Sequence, residues 1–409
     1  MPLDAYTLRE DFPELRRNIN GWPLAYLDNA ATSLKPEKII NVICEFYKDK
    51  YANIGRGIHT LSREATEAYE EARRKVARFI GADEREIIFV RNTTEAINLV
   101  SLAWVRNNLK RGDIIVTTYM EHHSNLLPWL LLSKEKELEL RIININKQGV
   151  LDLDTFKEVV EGARFIAIAH KSNVTGVVND VKEVCKLAKN EGARVLIDGA
   201  QSVPHMCVNV KEIGCDFLAF SGHKMLGPSG IGVLYVKKEV YGEMMPVIVG
   251  GGIVRNVKCD KECKVEFIDP PHMFEAGTPN VVGAVGLSAA VDYLNEIGMD
   301  DVEKHETYLT EILLGELLEL EGVKVLGPLQ AKERPGIVSF TLKGHDPHEL
   351  AMLLDLKGIA VRSGFHCAQP LHEILGVYEG SVRASFYLYN TQEEVMRLVN
   401  TLREIIKAK

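Results

Sequence analysis

From Ile39 onward, amphipathic helical stretches alternate with short apolar runs: IIFV at 87–90, DIIVTT at 113–118, LRIININ at 140–146, RFIAIAH at 164–170, RVLID at 194–198 and DFLAF at 216–220. This alternation predicts an α/β fold with a mostly parallel sheet covered by helices. Pro36 opens one helix, Gly81 closes the next, and the turn Arg111-Gly112-Asp113 leads into a strand. In such sheets ligands sit beyond the carboxyl ends of the strands. Thr93, Thr94, His122, His123, Asn173, Asp198, His223 and Lys224 all fall there, so several loops are expected to converge on one site.

The remainder of the chain changes character. Residues 250–278 read as irregular and rich in Gly and Pro, and helical stretches follow at about 280–297 and 301–320. A strand (IVSFTL), a helix (PHELAMLLDLKG), a strand (IAVRS) and a helix from Thr391 then predict a small α+β domain. A chain of 409 residues, 46% hydrophobic, can bury two cores, with a large domain expected over 23–288 and a small one over 1–22 and 289–409. Its net charge of -8 argues against a nucleic-acid-binding surface. No apolar run approaches the ~20 residues of a spanning helix, and the first twenty residues lack an apolar signal core, so a cytoplasmic protein off the membrane is expected. Seven scattered cysteines, an odd number, fit reduced thiols better than a disulfide framework.

Lys224 lies in FSGHKMLGPSGIG, 26 residues after Asp198 in VLIDGAQ. Alone, these are a solvated lysine and a strand-end carboxylate. Together they suit a cofactor carried on a lysine, pyridoxal 5′-phosphate, whose ring nitrogen needs a carboxylate. Gln201 could hydrogen-bond the ring hydroxyl, and His123 could stack on the ring face and shuttle protons. Thr94, Ser221 and His223 could supply phosphate donors, although a helix cap alone would also explain Thr94. His122 and His123 lack a third ligand for a metal site. GPSGIG has the wrong spacing for a dinucleotide fingerprint, and a strand follows it. Cys367 has Arg362 and His366 nearby to make the region electropositive, and Gly364 permits a tight turn; both favour an accessible thiolate over a buried core residue. Cys259 and Cys263 in KCDKEC read as a solvated loop, and Arg383 could clamp a substrate carboxylate.

Over nearly its whole length the chain closely resembles the cysteine desulfurases of the pyridoxal-phosphate class V aminotransferase superfamily, in particular the SufS-like group. The resemblance is carried by LAYLDNAATSLKP, RGIHTLSREATEAYE, FVRNTTEAINLV, MEHHSNLLPW, SNVTG, VLIDGAQS, FSGHKMLGPSGIGVLYVK, FEAGTPN, AVRSGFHCAQPL and RASFYLYNT. It implies the fold-type I aminotransferase architecture, with a mostly parallel seven-stranded sheet in the large domain and a smaller α+β domain. It also implies a homodimer in which Thr278 reaches the phosphate of the partner subunit's cofactor. Lys224 would carry the cofactor, with Asp198, Gln201 and His123 around its ring. Asn173 and Arg383 would hold the substrate carboxylate, with Arg362 nearby, and Cys367 would take sulfur from L-cysteine as a persulfide and pass it to an iron-sulfur assembly protein. Some relatives have a histidine where this chain has Gly55. L-selenocysteine lyase, transamination and a scaffold without turnover are the alternatives.

Overall fold

In the computed structural model, which describes residues 3–260 and 262–408, the apolar runs assemble into one seven-stranded sheet. Its strands are β1 (Ile87–Val90), β2 (Ile114–Thr118), β3 (Glu139–Ile143), β4 (Ala163–Ala169), β5 (Arg194–Asp198), β6 (Phe217–Ser221) and β7 (Gly232–Val236). Their spatial order is β1-β7-β6-β5-β4-β2-β3, with β7 antiparallel to both neighbours and the remaining pairs parallel. Every residue of β1, β6 and β7 is buried. Helices cover both faces, which is why these strands read as unbroken apolar runs.

Among the covering helices are α1 (Glu37–Asp49), α2 (Thr60–Phe79), α3 (Thr93–Val100), α4 (Val181–Asn190) and α5 (Val281–Ile297). The domain boundary expected at 288 falls inside α5. This helix is capped by Asn280, ends at Gly298 with φ 91°, and packs along α1 and α2. Leu287, Val291 and Leu294 share a core with Tyr69 and Val76 of α2, so α5 runs unbroken through position 288 and packs on the seven-stranded sheet's helices along its length. A helix presents one continuous apolar stripe, and nothing in that stripe marks a boundary.

The segment 250–278 also departs from expectation. It contains a hairpin of β8 (Val254–Cys259) and β9 (Cys263–Phe267), whose register sets Cys259 opposite Cys263, and these two form a disulfide. The reduced reading therefore fails for this pair and holds for Cys44, Cys185, Cys207, Cys215 and Cys367, which are free. The hairpin is exposed along most of both strands, so it lacks the apolar alternation that announces a half-buried sheet.

Beyond Gly298 come α6 (Met299–Leu318), an antiparallel sheet ordered β10-β11-β13-β12, and helices α7 (Pro347–Asp355) and α8 (Gln392–Lys407). The strands are β10 (Val323–Leu326), β11 (Ile337–Leu342), β12 (Arg362–Gly364) and β13 (Ser381–Ser385). Thr391 and Glu394 form a reciprocal cap that starts α8. Leu313, Phe340, Leu354 and Leu398 are among the residues of this second core. Ala25–Tyr26 pairs in parallel with Ile359–Ala360, and Asp28 bridges to Ser385, so this N-terminal stretch lies against the C-terminal strands. Among the described residues no helix is long and apolar enough to cross a membrane.

Candidate active site

A cavity of about 310 Å³ opens at the carboxyl ends of the central strands and is closed on its far side by β12, β13 and the Cys367 turn. Asp198, the last residue of β5, is buried in its wall, and one carboxylate oxygen accepts the Ala200 N–H at 2.9 Å. Lys224 ends a short 3-10 turn, Gly222–Lys224, directly after β6. Gly222 lets that turn pack against Ile231, whose Cγ2 would lie 2.9 Å from any added Cβ. Burial lowers the Lys224 pKa to about 8, with the Asp198 charge opposing and the Arg383 and Arg362 charges reinforcing the shift. Burial raises the Asp198 pKa, against the Ala200 hydrogen bond and the Lys224 charge.

These residues fit a pyridoxal phosphate. The Gln201 amide donates through Nε2 to Ala30 O at 2.7 Å, which leaves its buried Oε1 without a partner among the described residues. An acceptor stranded in a cavity wall suits a ligand hydroxyl. At the other end, Asn92 caps α3 by accepting the Glu95 N–H, and Asn92, Thr93 and Thr94 line the cavity. Ser221 Oγ takes the Thr93 N–H at 2.8 Å, Thr94 Oγ1 pairs with Ser124 Oγ at 2.7 Å, and His223 Nδ1 lies 3.2 Å from Thr32 Oγ1. A helix N-terminus with hydroxyls around it is a phosphate cradle. Among the described residues no cluster of three or more His, Cys, Asp or Glu could hold a metal ion.

The paired histidines divide differently from expectation. His122 lines the cavity, its Nδ1 accepts the Ser124 N–H at 3.1 Å, and burial lowers its pKa to about 3, leaving a neutral ring. His123 begins the next 3-10 turn and faces the Cys367 loop: its N–H donates to Cys367 O at 2.7 Å and its Nε2 accepts the Gln369 N–H at 3.4 Å. Adjacent residues at a tight turn point in different directions, so His122 lines the cavity while His123, the ring expected there, faces the Cys367 loop. Thr278 lies outside the cavity, in a neighbouring groove with Val247 and Ile248 that shares Asn92 and Thr94 with it.

Cys367 is exposed, free and part of the cavity wall. His366 and Cys367 both take left-handed backbone, φ 50° and 57°, an uncommon conformation for residues other than glycine. The large domain holds this turn through the His123 N–H and through Asn173, whose Nδ2 donates to His366 O at 2.7 Å. The Asn173 amide expected at a substrate carboxylate thus also holds the Cys367 loop. His366 is buried against Ser381, and burial pushes its pKa well below the usual value, so it adds no charge beside the thiol. The positive charge comes instead from Arg362 and Arg383. Arg383 donates to Asn173 O at 2.9 Å and to Asp28 at 3.3 Å, and its buried Nε has no partner among the described residues. Arg362 grips the same Asp28 through Nε and Nη2 at 3.1 and 3.0 Å. Sequence reasoning passed over Asp28, although it stands inside the quoted LAYLDNAATS run.

The sequence profile of the aminotransferase class-V family matches residues 25–398. A probable cysteine desulfurase of Halalkalibacterium halodurans is 47% identical over 404 residues, covering 98% of each chain. The apo structure of a cysteine desulfurase from Thermococcus onnurineus superposes with a TM-score of 0.95 at 44% identity, covering 100% of this chain and 99% of that one. The cysteine desulfurase CsdA of Escherichia coli, in an S-sulfonic acid form, does so at 0.90 and 35% identity, covering 99% of both.

Proposed function

The chain belongs to the aminotransferase class-V family, and on that premise we propose its reaction: it is a pyridoxal 5′-phosphate-dependent cysteine desulfurase that releases L-alanine from L-cysteine and keeps the sulfur as a persulfide on Cys367. The observation that carries this reading is the meeting of Lys224, Asp198, Cys367 and Arg383, brought from four separate stretches of sequence, around one cavity. Lys224 would bind the cofactor covalently, Asp198 would pair with its ring nitrogen, Gln201 Oε1 would accept from its ring hydroxyl, and His122 would cover the ring face. The Asn92-capped end of α3, with Thr94, Ser221 and His223, would hold its phosphate. When bound, the cofactor supplies an electron sink for the pair released at the substrate's Cα.

The protein's own groups do the rest. Arg383 holds the substrate carboxylate, and Asn173 keeps the Cys367 turn in place. The Lys224 amine, whose neutral fraction is raised because burial lowers its pKa to about 8, takes a proton from Cα and returns protons as alanine forms. The Cys367 thiolate attacks the substrate sulfur. A sulfur–sulfur bond forms as the carbon–sulfur bond breaks, and the pair from the broken bond stays with the carbon fragment that leaves as alanine. Each turnover therefore converts one cysteine and one thiol into one alanine and one persulfide.

Exposure of Cys367 at the cavity mouth suits transfer of that sulfur to a protein acceptor, and iron-sulfur cluster assembly in the cytoplasm is the process this output serves in our reading. A SufS-like homodimer completes the proposal. Thr278 stands with half-exposed Val247 and exposed Ile248 in a groove beside the cavity, where Thr278 of the partner subunit would reach this subunit's phosphate site. Alanine release from L-cysteine, with a thiol reductant present, tests the reaction. Cofactor-loaded wild type is expected to turn over and Cys367→Ser is expected to bind substrate without releasing alanine. Equal release by both would remove Cys367 from the sulfur path and favour a selenocysteine lyase.

A further inference from the structure

The peptide group that joins His223 to Lys224 is gripped by the segment after Ala31. Its carbonyl oxygen accepts from the Ser33 N–H at 3.1 Å, Thr32 Oγ1 at 2.9 Å, Ser33 Oγ at 3.1 Å and Lys35 Nζ at 2.8 Å, more donors than it has lone pairs. Ser33 Oγ also accepts the Leu226 N–H at 2.9 Å, so residues 32–35 hold both sides of the turn on which Lys224 stands. That turn needs holding. Leu226 is buried with φ 67°, left-handed backbone that a bulky residue keeps only where its surroundings fix it. Lys35 is the costly member of this clamp. Its half-buried ammonium otherwise donates to Ser33, to O at 2.6 Å and Oγ at 3.3 Å, and no carboxylate among the described residues lies within ion-pair distance of it. Burial lowers its pKa to about 8, with the Glu14 charge opposing. A cation set among carbonyls without a counter-charge is unfavourable unless its charge-assisted hydrogen bonds compensate, and here one of those bonds falls on the backbone of the Lys224 turn.

We propose that residues 32–35 are a clamp that keeps the Lys224 amine in the water-poor wall of the cavity, and that Lys35 is its positioning residue, acting through the 223–224 peptide. This rests on the reading of Lys224 as the reactive amine of the site. Burial is the leading cause that lowers the Lys224 pKa; Asp198 opposes it, and Arg383 and Arg362, on strands of the other sheet, reinforce it. A turn released from the clamp admits water to Lys224, and its pKa then climbs back toward the ordinary 10.5. The titratable groups facing Lys35 are Glu14 and His223, the latter kept neutral by burial with a pKa of about 4, so neither replaces the lost cation. A purely structural role predicts something different: lower stability, with the Lys224 pKa of the molecules that remain folded unchanged.

The test is trace labelling of the cofactor-free full chain with acetic anhydride, read at Lys224 by mass spectrometry from about pH 6 to about pH 10. Wild type is expected to label Lys224 with a midpoint near pH 8. Lys35→Met is expected to move that midpoint to about pH 9 or above, which lowers labelling at about pH 7 roughly tenfold. Ser33→Ala leaves the Lys35 charge in place but removes the grip on Leu226 and one donor to His223, and it is expected to move the midpoint the same way. Glu275→Gln, which breaks the buried ion pair with Arg73 in another part of the chain, is the control for general destabilisation and is expected to keep the midpoint near pH 8. An unmoved midpoint in either folded clamp variant, or an equal shift in Glu275→Gln, would overturn the proposal. Capture of pyridoxal phosphate by the wild type reports on the cofactor reading separately. A protein whose Lys224 midpoint depends on the clamp but which takes up no pyridoxal phosphate would sink that reading and leave the role of Lys35 standing.

Discussion

In the proposed reaction, burial is what would make Lys224 useful. An exposed lysine amine is almost wholly protonated near neutrality and cannot attack an aldehyde, whereas burial brings this one to about pKa 8 from 10.5. Capture of pyridoxal phosphate by the apo protein should therefore speed up with rising pH and reach half its maximal rate near pH 8, followed by the absorbance of the bound cofactor. Asp198 opposes the shift, so Asp198→Asn should move the midpoint to lower pH while weakening retention of the ring; a midpoint that stays put would show that the two groups do not interact. The same shift has a signature in stability. Between about pH 8 and 10.5 the unfolded chain holds more protons than the folded one at this site, so the apo protein should gain stability as pH rises through that window. The two histidines separate by the same kind of measurement. His122→Ala, on the cavity wall, should lower cofactor affinity about tenfold or more, on the scale of a lost aromatic contact. His123→Ala should leave cofactor binding near wild type, because its ring nitrogen serves the Cys367 loop.

Within the large domain, α2 is tied to β1 and to the segment leading to Thr278 by one buried ion pair. Arg73 on α2 grips both oxygens of Glu275 at 2.8 and 2.9 Å, and Glu275 also accepts the Phe89 N–H of β1 at 2.7 Å. Burial alone would raise the Glu275 pKa, but Arg73 and the hydrogen bonds bring it down to about 2 from 4.5. Its folded pKa is lowered, so its contribution to stability is present above about pH 4.5 and is lost as pH falls toward 2. Glu275→Gln leaves buried Arg73 with only the partly exposed Glu70, at 3.0 Å, as counter-charge, so it should cost somewhat less in denaturant unfolding near neutrality than the roughly 3–5 kcal/mol of a wholly unpaired buried charge, and its stability should fall less steeply than wild type between pH 4.5 and 2. Elements of this kind were legible in the sequence to different degrees. Strands buried on both faces appeared as apolar runs, and Pro36, Gly81 and Thr391 marked helix ends, because these signals are local. The hairpin at Val254–Phe267 was not legible, since exposed strands carry no burial pattern, and neither was the unity of Val281–Ile297. Lys224, Asp198 and Cys367 were singled out because their types are rarely combined by chance, and they line one cavity. Asp28 was not, because its importance comes from two arginines more than 300 positions away, and no local pattern reports that contact.

At the scale of the molecule, the residues lining the cavity come from the seven-stranded sheet and from the C-terminal sheet, so the proposed reaction would depend on how these two layers are held together. One fastening lies directly behind the cavity. Glu306 of α6 in the small domain reaches between Lys171 and His205, which follow β4 and β5 in the large domain. Its carboxylate lies 2.6 Å from His205 Nδ1 and 3.8 Å from Lys171 Nζ, and all three side chains are at most 3% exposed. Gly336 makes room for it: a Cβ there would stand 2.2 Å from Glu306 Oε2, and the backbone at φ 78° also favours glycine. Lys171 belongs to the cavity wall and lies two residues before Asn173, whose amide fixes the Cys367 turn. The fastening and the hold on the Cys367 loop therefore share one short segment. Removing the carboxylate leaves buried Lys171, whose pKa burial lowers, with only the charge of Glu303 to support its ammonium form, whereas replacing the lysine by an apolar side chain of similar length removes the charge altogether. Glu306→Gln should accordingly cost about 3–5 kcal/mol by urea denaturation, Lys171→Met markedly less, and the double variant less than Glu306→Gln alone. If the pair acts as a joint between domains, Glu306→Gln should also split a single unfolding transition into two, with alanine release lost in the first, since loosening that joint frees Asn173 and the Cys367 turn before the central sheet melts. Additive losses in the double variant, with one unchanged transition, would show the three groups to be independent and the domains to be joined by their apolar contacts alone.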